Sequence, residues 1–420
     1  MKKTFLLSCL MLAAMPVMAA YTGRVYVDKN KNGVFDPGEK TWAGIKVSDG
    51  LNVVETAADG SFTLPGHERE RFIFITTPSG YKTFNRHYHK IEEKQSGYDF
   101  GLMPYSGRIR KDGSHKYIHI ADTEIFNTEN HEDWVNNVRD YARNEQAAFI
   151  IHTGDICYEK GLKAHIKLMN TENMDCPVFY CIGNHDLVKG KYGEELFESI
   201  YGPVYYSFDA GNVHYIVTPM PGGDHAPGYT ADDVCRWLKN DLAHIRPGTP
   251  VVVFNHDLLT YEDAFIFKSK NAGSINLNEH NLKAWVYGHW HINYMKKQGD
   301  VYSVCTSSLD KGGIDHSTTA FRVMHVDSKG DFTSELRYTY LDKNICIASP
   351  AGVMASGVLP VAVNVYSSVS PVKEVLYTCL ADGKPVLKNK RLLQSTDWSW
   401  NGELPLSDKY VGKELTLQVT

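Results

Sequence analysis

The 420-residue sequence has no surplus of positive charge, no internal repeat and no low-complexity tract. Its 44 Lys and Arg are outnumbered by 49 Asp and Glu, which gives a formal net charge of −5. General nucleic-acid binding therefore has no electrostatic support. A hydrophobic fraction of 43% with only 22% charged residues excludes a disordered chain. The composition is that of an ordinary globular protein.

After its first 20 residues, the sequence also lacks the run of about 20 apolar residues that a membrane helix requires. The start of the chain has the three parts of a signal peptide, which are Lys2-Lys3, the apolar stretch 5–17 and Ala19-Ala20. We expect cleavage after Ala19 or Ala20 and a soluble mature protein that is periplasmic, secreted or held at the cell surface. A less favoured alternative is a lipoprotein acylated at Cys9, which would retain most of the apolar stretch.

Cysteine pairs at zinc-binding spacing are missing as well. No Cys-x-x-Cys motif occurs, so a zinc knuckle has no support. Of the eight cysteines, Cys9 lies in the predicted signal peptide, and the other seven are at positions 157, 176, 181, 235, 305, 346 and 379. An odd number in an exported protein leaves at least one free thiol, and the sequence predicts no particular disulfide.

Strand and helix patterns divide the chain after residue 20 into three regions. Residues 21–105 are short apolar runs separated by turn pairs such as Asp59-Gly60, which predicts a small β-sandwich. Residues 112–340 alternate strand runs with helical patterns, including a capping box at Thr230 and Asp233. This alternation predicts an α/β domain whose sheets are flanked by helices and which is large enough to hold a cleft. Residues 341–420 predict a second small all-β domain.

Residues 28–39 have the ligand spacing of a calcium loop. The EF-hand pattern places oxygen ligands at fixed positions around an invariant glycine, which here is Gly33. The corresponding ligands are Asp28, Asn30, Asn32, the carbonyl of Val34, Asp36 and Glu39. The flanks are not helical, so the loop resembles the calcium loops of exported β-sandwich repeat domains. We expect a structural Ca²⁺ here, and the alternative is a solvated turn without an ion.

Five short polar motifs follow predicted strands of the 112–340 region. They are Ala121-Asp122-Thr123-Glu124, Gly154-Asp155-Ile156-Cys157-Tyr158, Gly183-Asn184-His185-Asp186, Asn255-His256 and Gly288-His289-Trp290-His291. Each motif alone is explained by a turn, a helix cap or a core histidine. Together they are carboxylates, an amide and imidazoles at predicted strand ends, which can converge on one edge of a sheet. This mixture of ligands suits Mn, Fe or Zn better than Ca. One carboxylate shared by two such ions forms the two-metal clamp used for displacement at phosphorus.

This ordered set resembles the calcineurin-like metallophosphoesterase family, which includes the purple acid phosphatases. The family pattern is Asp-x-His, Gly-Asp, Gly-Asn-His-Asp/Glu, a later His and Gly-His-x-His, and it covers about residues 115–340 here. The flanking β regions resemble, more loosely, the terminal modules of exported bacterial members. The resemblance implies a metal-dependent phosphoric ester hydrolase with a layered α/β metallophosphoesterase domain between two small all-β sandwich domains.

The resemblance also implies a role for each motif residue. The implied metal ligands are Asp155 as the bridge, Asp122 and His291 at the first metal, and Asn184, His256 and His289 at the second. His185 would stabilise the developing charge or protonate the leaving oxygen, and Asp186 would orient His185. A metal-bound hydroxide is the implied nucleophile, so no covalent phospho-enzyme is expected.

Two positions in the motifs leave alternatives open. The family has histidine where this sequence has Glu124, which either ligates through oxygen or turns away and leaves the first metal in need of another ligand. Tyr158 matches the tyrosine of the purple acid phosphatase motif Gly-Asp-x-x-Tyr and is either an iron ligand or a packed core tyrosine. The loop 221–225 either walls the substrate pocket or is an ordinary surface loop.

The expected activity is hydrolysis of a small phosphomonoester or phosphodiester by an exported two-metal enzyme. The alternative is a surface binding protein with a degenerate metallophosphoesterase domain, which Glu124 alone favours. Nucleotides, sugar phosphates, phospholipid headgroups and pyrophosphates present the same phosphorus, so the sequence does not choose among them. It also leaves the native metal pair and the oligomeric state undetermined.

Overall fold

The computed structural model describes residues 20–420 except 85, 94, 96, 106, 315–316, 341–342, 353–356, 368–371 and 397. Most of the predicted signal peptide, including Cys9, therefore lies outside the described residues. A β-sandwich, a layered α/β domain and a second β module follow one another along the described chain, which confirms the predicted fold class.

Eight short strands form the described part of the amino-terminal sandwich. They are β1 (Tyr21–Val27), β2 (Lys46–Ser48), β3 (Val53–Glu55), β4 (Ser61–Leu64), β5 (Phe72–Ile75), β6 (Tyr81–Thr83), β7 (Tyr88–Lys90) and β8 (Phe100–Pro104). One sheet has the order β4-β1-β8-β6 and the other β3-β2-β5-β7. Val25, Val47, Phe62 and Leu102 belong to its buried core.

Strand β5 joins this sandwich to the α/β domain. Its four residues are all buried, because side chains on alternate faces enter different cores. Ile73 and Ile75 join the core of the sandwich, whereas Phe72 and Phe74 join the core of the α/β domain. The amino-terminal domain is therefore packed directly on the α/β domain rather than tethered to it by a linker.

The α/β domain contains the longest series of elements. Its helices are α1 (Glu132–Asn144), α2 (Tyr158–Leu168), α3 (Glu195–Tyr201) and α4 (Ala231–Ala243). Its strands are β9 (His115–Ile120), β10 (Phe149–His152), β11 (Val178–Tyr180), β12 (Tyr206–Ala210), β13 (Val213–Val217), β14 (Val251–Phe254), β15 (Ile266–Lys268), β16 (Ser274–Asn276), β17 (Leu282–Tyr287), β18 (Tyr294–Gln298), β19 (Val301–Cys305), β20 (Ala320–Val326) and β21 (Phe332–Tyr338). The predicted capping box is present, because Thr230 and Asp233 bond each other's backbone at the start of α4.

Two large sheets run through this domain, with the orders β11-β10-β9-β20-β21 and β12-β13-β14-β17-β19-β18. Strands β9, β10 and β11 are parallel in the first sheet, and β13, β14, β17 and β19 are parallel in the second. Aromatic side chains of both sheets share one core, in which the Tyr117 and Phe149 rings stack at 4.7 Å. Helix residues such as Trp134 and Leu162 pack in a second core with Ile118 and Ile150.

Within the residues that the structure describes, the carboxy-terminal module has seven strands. They are β22 (Lys343–Ser349), β23 (Gly357–Ser367), β24 (Leu376–Ala381), β25 (Lys384–Arg391), β26 (Leu393–Gln394), β27 (Ser399–Leu406) and β28 (Leu415–Val419). They pair as β22-β23-β27-β26 and β25-β24-β28. Val363, Tyr377 and Trp400 are buried in a core of its own.

All seven cysteines of the described chain are unpaired. Six of them are buried and Cys346 is exposed. Within the described ranges, no helix is both long and apolar enough to cross a bilayer.

His214 of β13 is a buried charged group remote from the motif loops. Its ring nitrogens lie 2.7 Å from Asp209 Oδ1 and 2.8 Å from Asp241 Oδ2. Burial opposes protonation, but the charges and hydrogen bonds of the two carboxylates outweigh it and raise the pKa of His214 to about 9. The unfolded chain would bind this proton with a pKa of about 6.5.

His214 is therefore expected to make the free energy of unfolding depend on pH. Its contribution of about 3 kcal/mol is fully present below pH ~6.5 and is lost as the pH rises through about 9. Urea unfolding of wild type and of His214→Gln at several pH values measures this difference. The variant should lose less stability than wild type between pH ~6.5 and ~9.5, and parallel curves would contradict the assignment.

Candidate metal centre

The five polar motifs lie at the carboxyl ends of parallel strands. Asp122 follows β9, Asp155 follows β10 and Asn184 follows β11 in the first sheet. His256 follows β14, and His289 and His291 follow β17 in the second sheet. Because parallel strands end at the same edge of a sheet, these loops meet where the two sheets face each other.

Several motif residues have a backbone conformation that non-glycine residues rarely adopt. The φ angle is 52° at Asp122, 54° at Asp155, 63° at His289 and 49° at His291. Such strain concentrates at functional sites, where the surrounding fold compensates for it. The surrounding fold therefore holds these loops in a backbone conformation that their residues would rarely adopt on their own.

Glycines permit the loops to approach one another closely. A Cβ atom on Gly154 would lie 2.7 Å from His256 Nδ1, and one on Gly183 would collide with the Asp155 carboxylate. A Cβ atom on Gly288 would lie 2.6 Å from Asp122 Oδ2. The glycines that precede Asp155, Asn184 and His289 are therefore required by the close packing of the motif loops.

Asp155 belongs to two separate groups of ligand atoms. The first group comprises Asp155, His256 and His289, and the second comprises Glu124, Asp155 and Cys157. Within each group, the ligand atoms lie within 4.8 Å of one another. A carboxylate common to two ligand groups has the position of a bridge between two metal ions.

The His256 ring is oriented for ligation through Nε2. Its Nδ1 donates a hydrogen bond to the Thr153 carbonyl at 2.7 Å, which leaves Nε2 3.1 Å from Asp155 Oδ2 and 3.1 Å from Asn184 Oδ1. Burial opposes protonation of His256, but the charges of Asp155 and Asp122 prevail and raise its pKa to about 10. The negative charges of the two carboxylates thus strongly favour a positive charge at the position where a cation would bind.

Glu124 does not turn away from the other ligands. Its Oε1 lies 3.4 Å from His291 Nε2, which in turn lies 3.4 Å from Asp122 Oδ1. Its other oxygen, Oε2, accepts a hydrogen bond from Lys311 Nζ at 2.5 Å. One carboxylate oxygen therefore faces the predicted ligands, and the second is held by a lysine from outside the motifs.

His185 lies at the open side of the centre, with 33% of its side chain exposed. Its Nδ1 is 2.8 Å from Asp224 Oδ2 and 3.4 Å from the Tyr158 hydroxyl. Burial opposes protonation of His185, but the hydrogen bond with Asp224 and the charge of Asp155 outweigh it and raise its pKa. Tyr158 is 42% exposed, so the prediction of a packed core tyrosine is wrong.

Asp186 does not have the expected role. Both of its carboxylate oxygens accept backbone hydrogen bonds, from Cys157 at 2.8 Å and from Gly183 at 2.9 Å. Burial and the charge of Asp155 raise the pKa of Asp186 to about 7. Asp186 thus ties two motif loops together, and the carboxylate that contacts His185 is Asp224.

Asp224 lies in the 221–225 loop, which the sequence left as either a pocket wall or a surface loop. Its backbone N–H donates to the Asn184 carbonyl at 3.0 Å, and Gly223 packs against Asn184 without room for a Cβ atom. The loop therefore contacts the site. The polar residues at the tip of the loop indicated from the sequence that it could reach the site. Nothing in the sequence distinguished Asp224 from its neighbours.

The calcium-type loop in the amino-terminal domain is closed by its own hydrogen bonds. The buried Asp28 carboxylate accepts from the backbone of Asn32 and Gly33 at 3.2 and 2.9 Å. Glu39 accepts from the backbone of Lys29 and Asp36. Side-chain amides of Asn30 and Asn32 donate to Asp36, and the Val34 side chain is exposed. The loop follows strand β1, as the non-helical flanks predicted.

Solved structures similar to the chain differ from it strongly in sequence. A novel archaeal phosphodiesterase is 13% identical, and the match covers 53% of this chain and 99% of that one, with a TM-score of 0.26. Vacuolar protein sorting 29 from Cryptosporidium parvum is 10% identical, with 70% and 98% covered and a TM-score of 0.29. A predicted phosphoesterase from Streptococcus pneumoniae is 11% identical, with 53% and 98% covered and a TM-score of 0.25. No curated protein sequence is significantly similar to the chain.

Two family models match the chain. Residues 29–105 match the N terminal of Calcineurin-like phosphoesterase, and residues 115–293 match the Calcineurin-like phosphoesterase domain itself. Together they span more than half of the sequence, and the second covers all five polar motifs. Members of this family are metal-dependent hydrolases of phosphoesters. The resemblance inferred from the motifs is therefore confirmed: the chain belongs to the calcineurin-like phosphoesterase family.

Proposed function

We propose that this protein hydrolyses a phosphomonoester or phosphodiester at a two-metal centre built around Asp155. The observation that carries the proposal is the membership of Asp155 in two ligand groups, one with His256 and His289 and one with Glu124. A binding protein has no need for a carboxylate placed between two such groups. The family membership supports phosphoester hydrolysis in general.

The donor sets suit transition-metal ions of intermediate softness. Imidazole and carboxylate ligands are typical of Mn, Fe and Zn sites. The proposed ligands are Asp155, Asn184, His256 and His289 at one position, and Asp122, Glu124, Asp155 and His291 at the other. Two bound ions would supply a hydroxide nucleophile near neutral pH and a Lewis acid for the phosphoryl oxygens.

His185 is the protein group best placed to act on the leaving oxygen. It is partly exposed at the centre, and its Nδ1 is engaged by Asp224 at 2.8 Å, which leaves Nε2 for a substrate. Because the pKa of His185 is raised, the ring is protonated at neutral pH to a larger extent than a free imidazole. We propose that it donates a proton to the departing alkoxide. The contact of Tyr158 with His185 favours a place for Tyr158 beside the leaving group over iron ligation.

Metal-dependent hydrolysis tests the proposal. The 21–420 protein would be assayed with an aryl phosphodiester and an aryl phosphomonoester. Each assay would be run after a chelator has removed bound metal and again after reloading with Mn²⁺. Turnover that appears only on reloading, together with about two bound transition-metal ions per chain, is expected. The ratio of the two activities would narrow the substrate class. No turnover and no bound transition metal would favour the alternative, a surface binding protein with a degenerate domain.

We also propose that the 28–39 loop binds a structural Ca²⁺ through Asp28, Asn30, Asn32, Asp36, Glu39 and the Val34 carbonyl. The carboxylates of Asp28 and Glu39 already converge on the loop backbone, so an ion would replace hydrogen bonds within the loop.

Calcium is accordingly expected to raise the thermal midpoint of the full chain by several degrees, because an ion that binds only the folded state stabilises it. For a chain of this size, each kcal/mol of stabilisation raises the midpoint by at most about 4 °C. Thermal unfolding would be followed with and without Ca²⁺ in wild type, Glu39→Gln and Asp155→Asn. The shift should vanish in Glu39→Gln and persist in Asp155→Asn. An equal shift in all three proteins would place the calcium effect elsewhere.

The proposal for localisation is export with removal of the first 19 or 20 residues. It is supported by the two lysines, the apolar stretch and the small residues at the start of the sequence. Amino-terminal sequencing of the protein purified from cells would show Ala20 or Tyr21 as the first residue, whereas retention of Met1 would contradict export by this route.

A further inference from the structure

Cys157 is a buried residue of the second motif, and it has no part in the hydrolysis proposed for this site. Only 2% of it is exposed, and its φ angle of 77° is strained for a residue with a side chain. Its backbone N–H is fixed by Asp186 Oδ1 at 2.8 Å. With this anchor, the Cys157 sulfur lies within 4.8 Å of ligand oxygens of both Glu124 and Asp155.

The Cys157 thiol is also unpartnered, since no hydrogen bond to its sulfur occurs within the described part of the chain. The nearby Cys305 is different, because its thiol donates to the Gly288 carbonyl at 3.1 Å. The Cys157 sulfur is therefore free to bind a cation held between Glu124 and Asp155. A thiol that coordinates a metal ion is deprotonated.

We propose that the Cys157 thiolate is a ligand of the metal ion bound by Glu124 and Asp155. This inference rests on the proposed two-metal function and identifies the ligand that compensates for the missing histidine of the first motif. On metal binding the thiol releases its proton to solvent, and sulfur donates an electron pair to the ion. The carboxylate of Glu124 and the thiolate together replace one imidazole.

A sulfur ligand changes which metals this position prefers. Thiolates favour Zn²⁺, Fe and Co²⁺ over Mn²⁺ and Mg²⁺, which prefer oxygen ligands. The two positions should therefore differ: one has imidazole, amide and carboxylate ligands, and the other includes sulfur. Because their ligands differ, we expect the two positions to prefer different metal ions.

Cobalt loading of the 21–420 protein tests this assignment. With about two Co²⁺ bound per chain, wild type should show an intense sulfur-to-cobalt charge-transfer band in the near ultraviolet beside the visible bands of cobalt. Cys157→Ser should lose the charge-transfer band and keep the visible bands. Cys305→Ser, the matched control, should keep both, because the Cys305 thiol is bonded to a carbonyl.

X-ray absorption of the zinc-loaded wild type provides a measurement that requires no variant. A sulfur shell at about 2.3 Å is expected, in addition to nitrogen and oxygen at about 2.0–2.2 Å. Two bound ions with only nitrogen and oxygen neighbours and no charge-transfer band would overturn the role of Cys157 while leaving the two-metal proposal intact. A chain that binds neither cobalt nor zinc would overturn both.

Discussion

Asp155→Asn is expected to lower metal-dependent turnover of an aryl phosphodiester by on the order of 10³-fold or more. The carboxylate belongs to both ligand groups, so one substitution weakens both metal positions. It also removes the negative charge that lies 3.1 Å from His256 Nε2 and raises the pKa of that ring. The assay would compare kcat of wild type and variant after reloading with Mn²⁺, alongside the number of ions bound per chain.

The control for Asp155→Asn is Asp300→Asn, which changes an exposed carboxylate in the turn between β18 and β19. Asparagine has nearly the shape of aspartate, so the tight contact with Gly183 is retained and near-ultraviolet circular dichroism should stay that of wild type. The control should keep full turnover and both ions. If Asp155→Asn bound two ions and retained turnover within tenfold of wild type, the bridging role would be wrong.

The sequence allowed the location of the site to be predicted because strand ends are encoded locally. Each motif follows a short apolar run, and parallel strands bring their carboxyl ends to one edge. Glycine precedes Asp155 and Asn184 in the sequence, and the structure shows close backbone approach at both positions, Gly154 and Gly183. The fold class followed from the same alternation of strands and helices.

Contacts between loops could not be predicted in the same way. Asp224 is 39 residues from His185 along the chain, and only the docking of the 221–225 loop on Asn184 brings the two together. Asp186 is adjacent to His185 and was the natural candidate, yet its carboxylate points to the backbone of Cys157 and Gly183. The proximity of Cys157 to Glu124 likewise depends on a left-handed backbone that an alternation pattern does not reveal.

Asp224→Asn is expected to reduce hydrolysis of a phosphodiester with an alkyl leaving group by about 100-fold and that of a nitrophenyl ester by only a few fold. Asp224 contacts His185 rather than a metal ligand side chain, so it acts as a positioning residue. A nitrophenolate departs without a proton, whereas an alkoxide needs one. Loss of the carboxylate that orients His185 and raises its pKa should therefore be seen mainly with the poor leaving group.

The comparison of leaving groups separates this role from a purely structural one. His185→Asn should show the same dependence on the leaving group, and adding Asp224→Asn to it should cost little more, because the two side chains act as a unit. His225→Gln changes an exposed neighbour in the same loop and should leave both substrates unaffected. An equal loss of turnover on both substrates would contradict this role. It would mean that Asp224 only holds the loop against Asn184, whose carbonyl accepts a hydrogen bond from the Asp224 backbone N–H. His185 would then need no carboxylate partner.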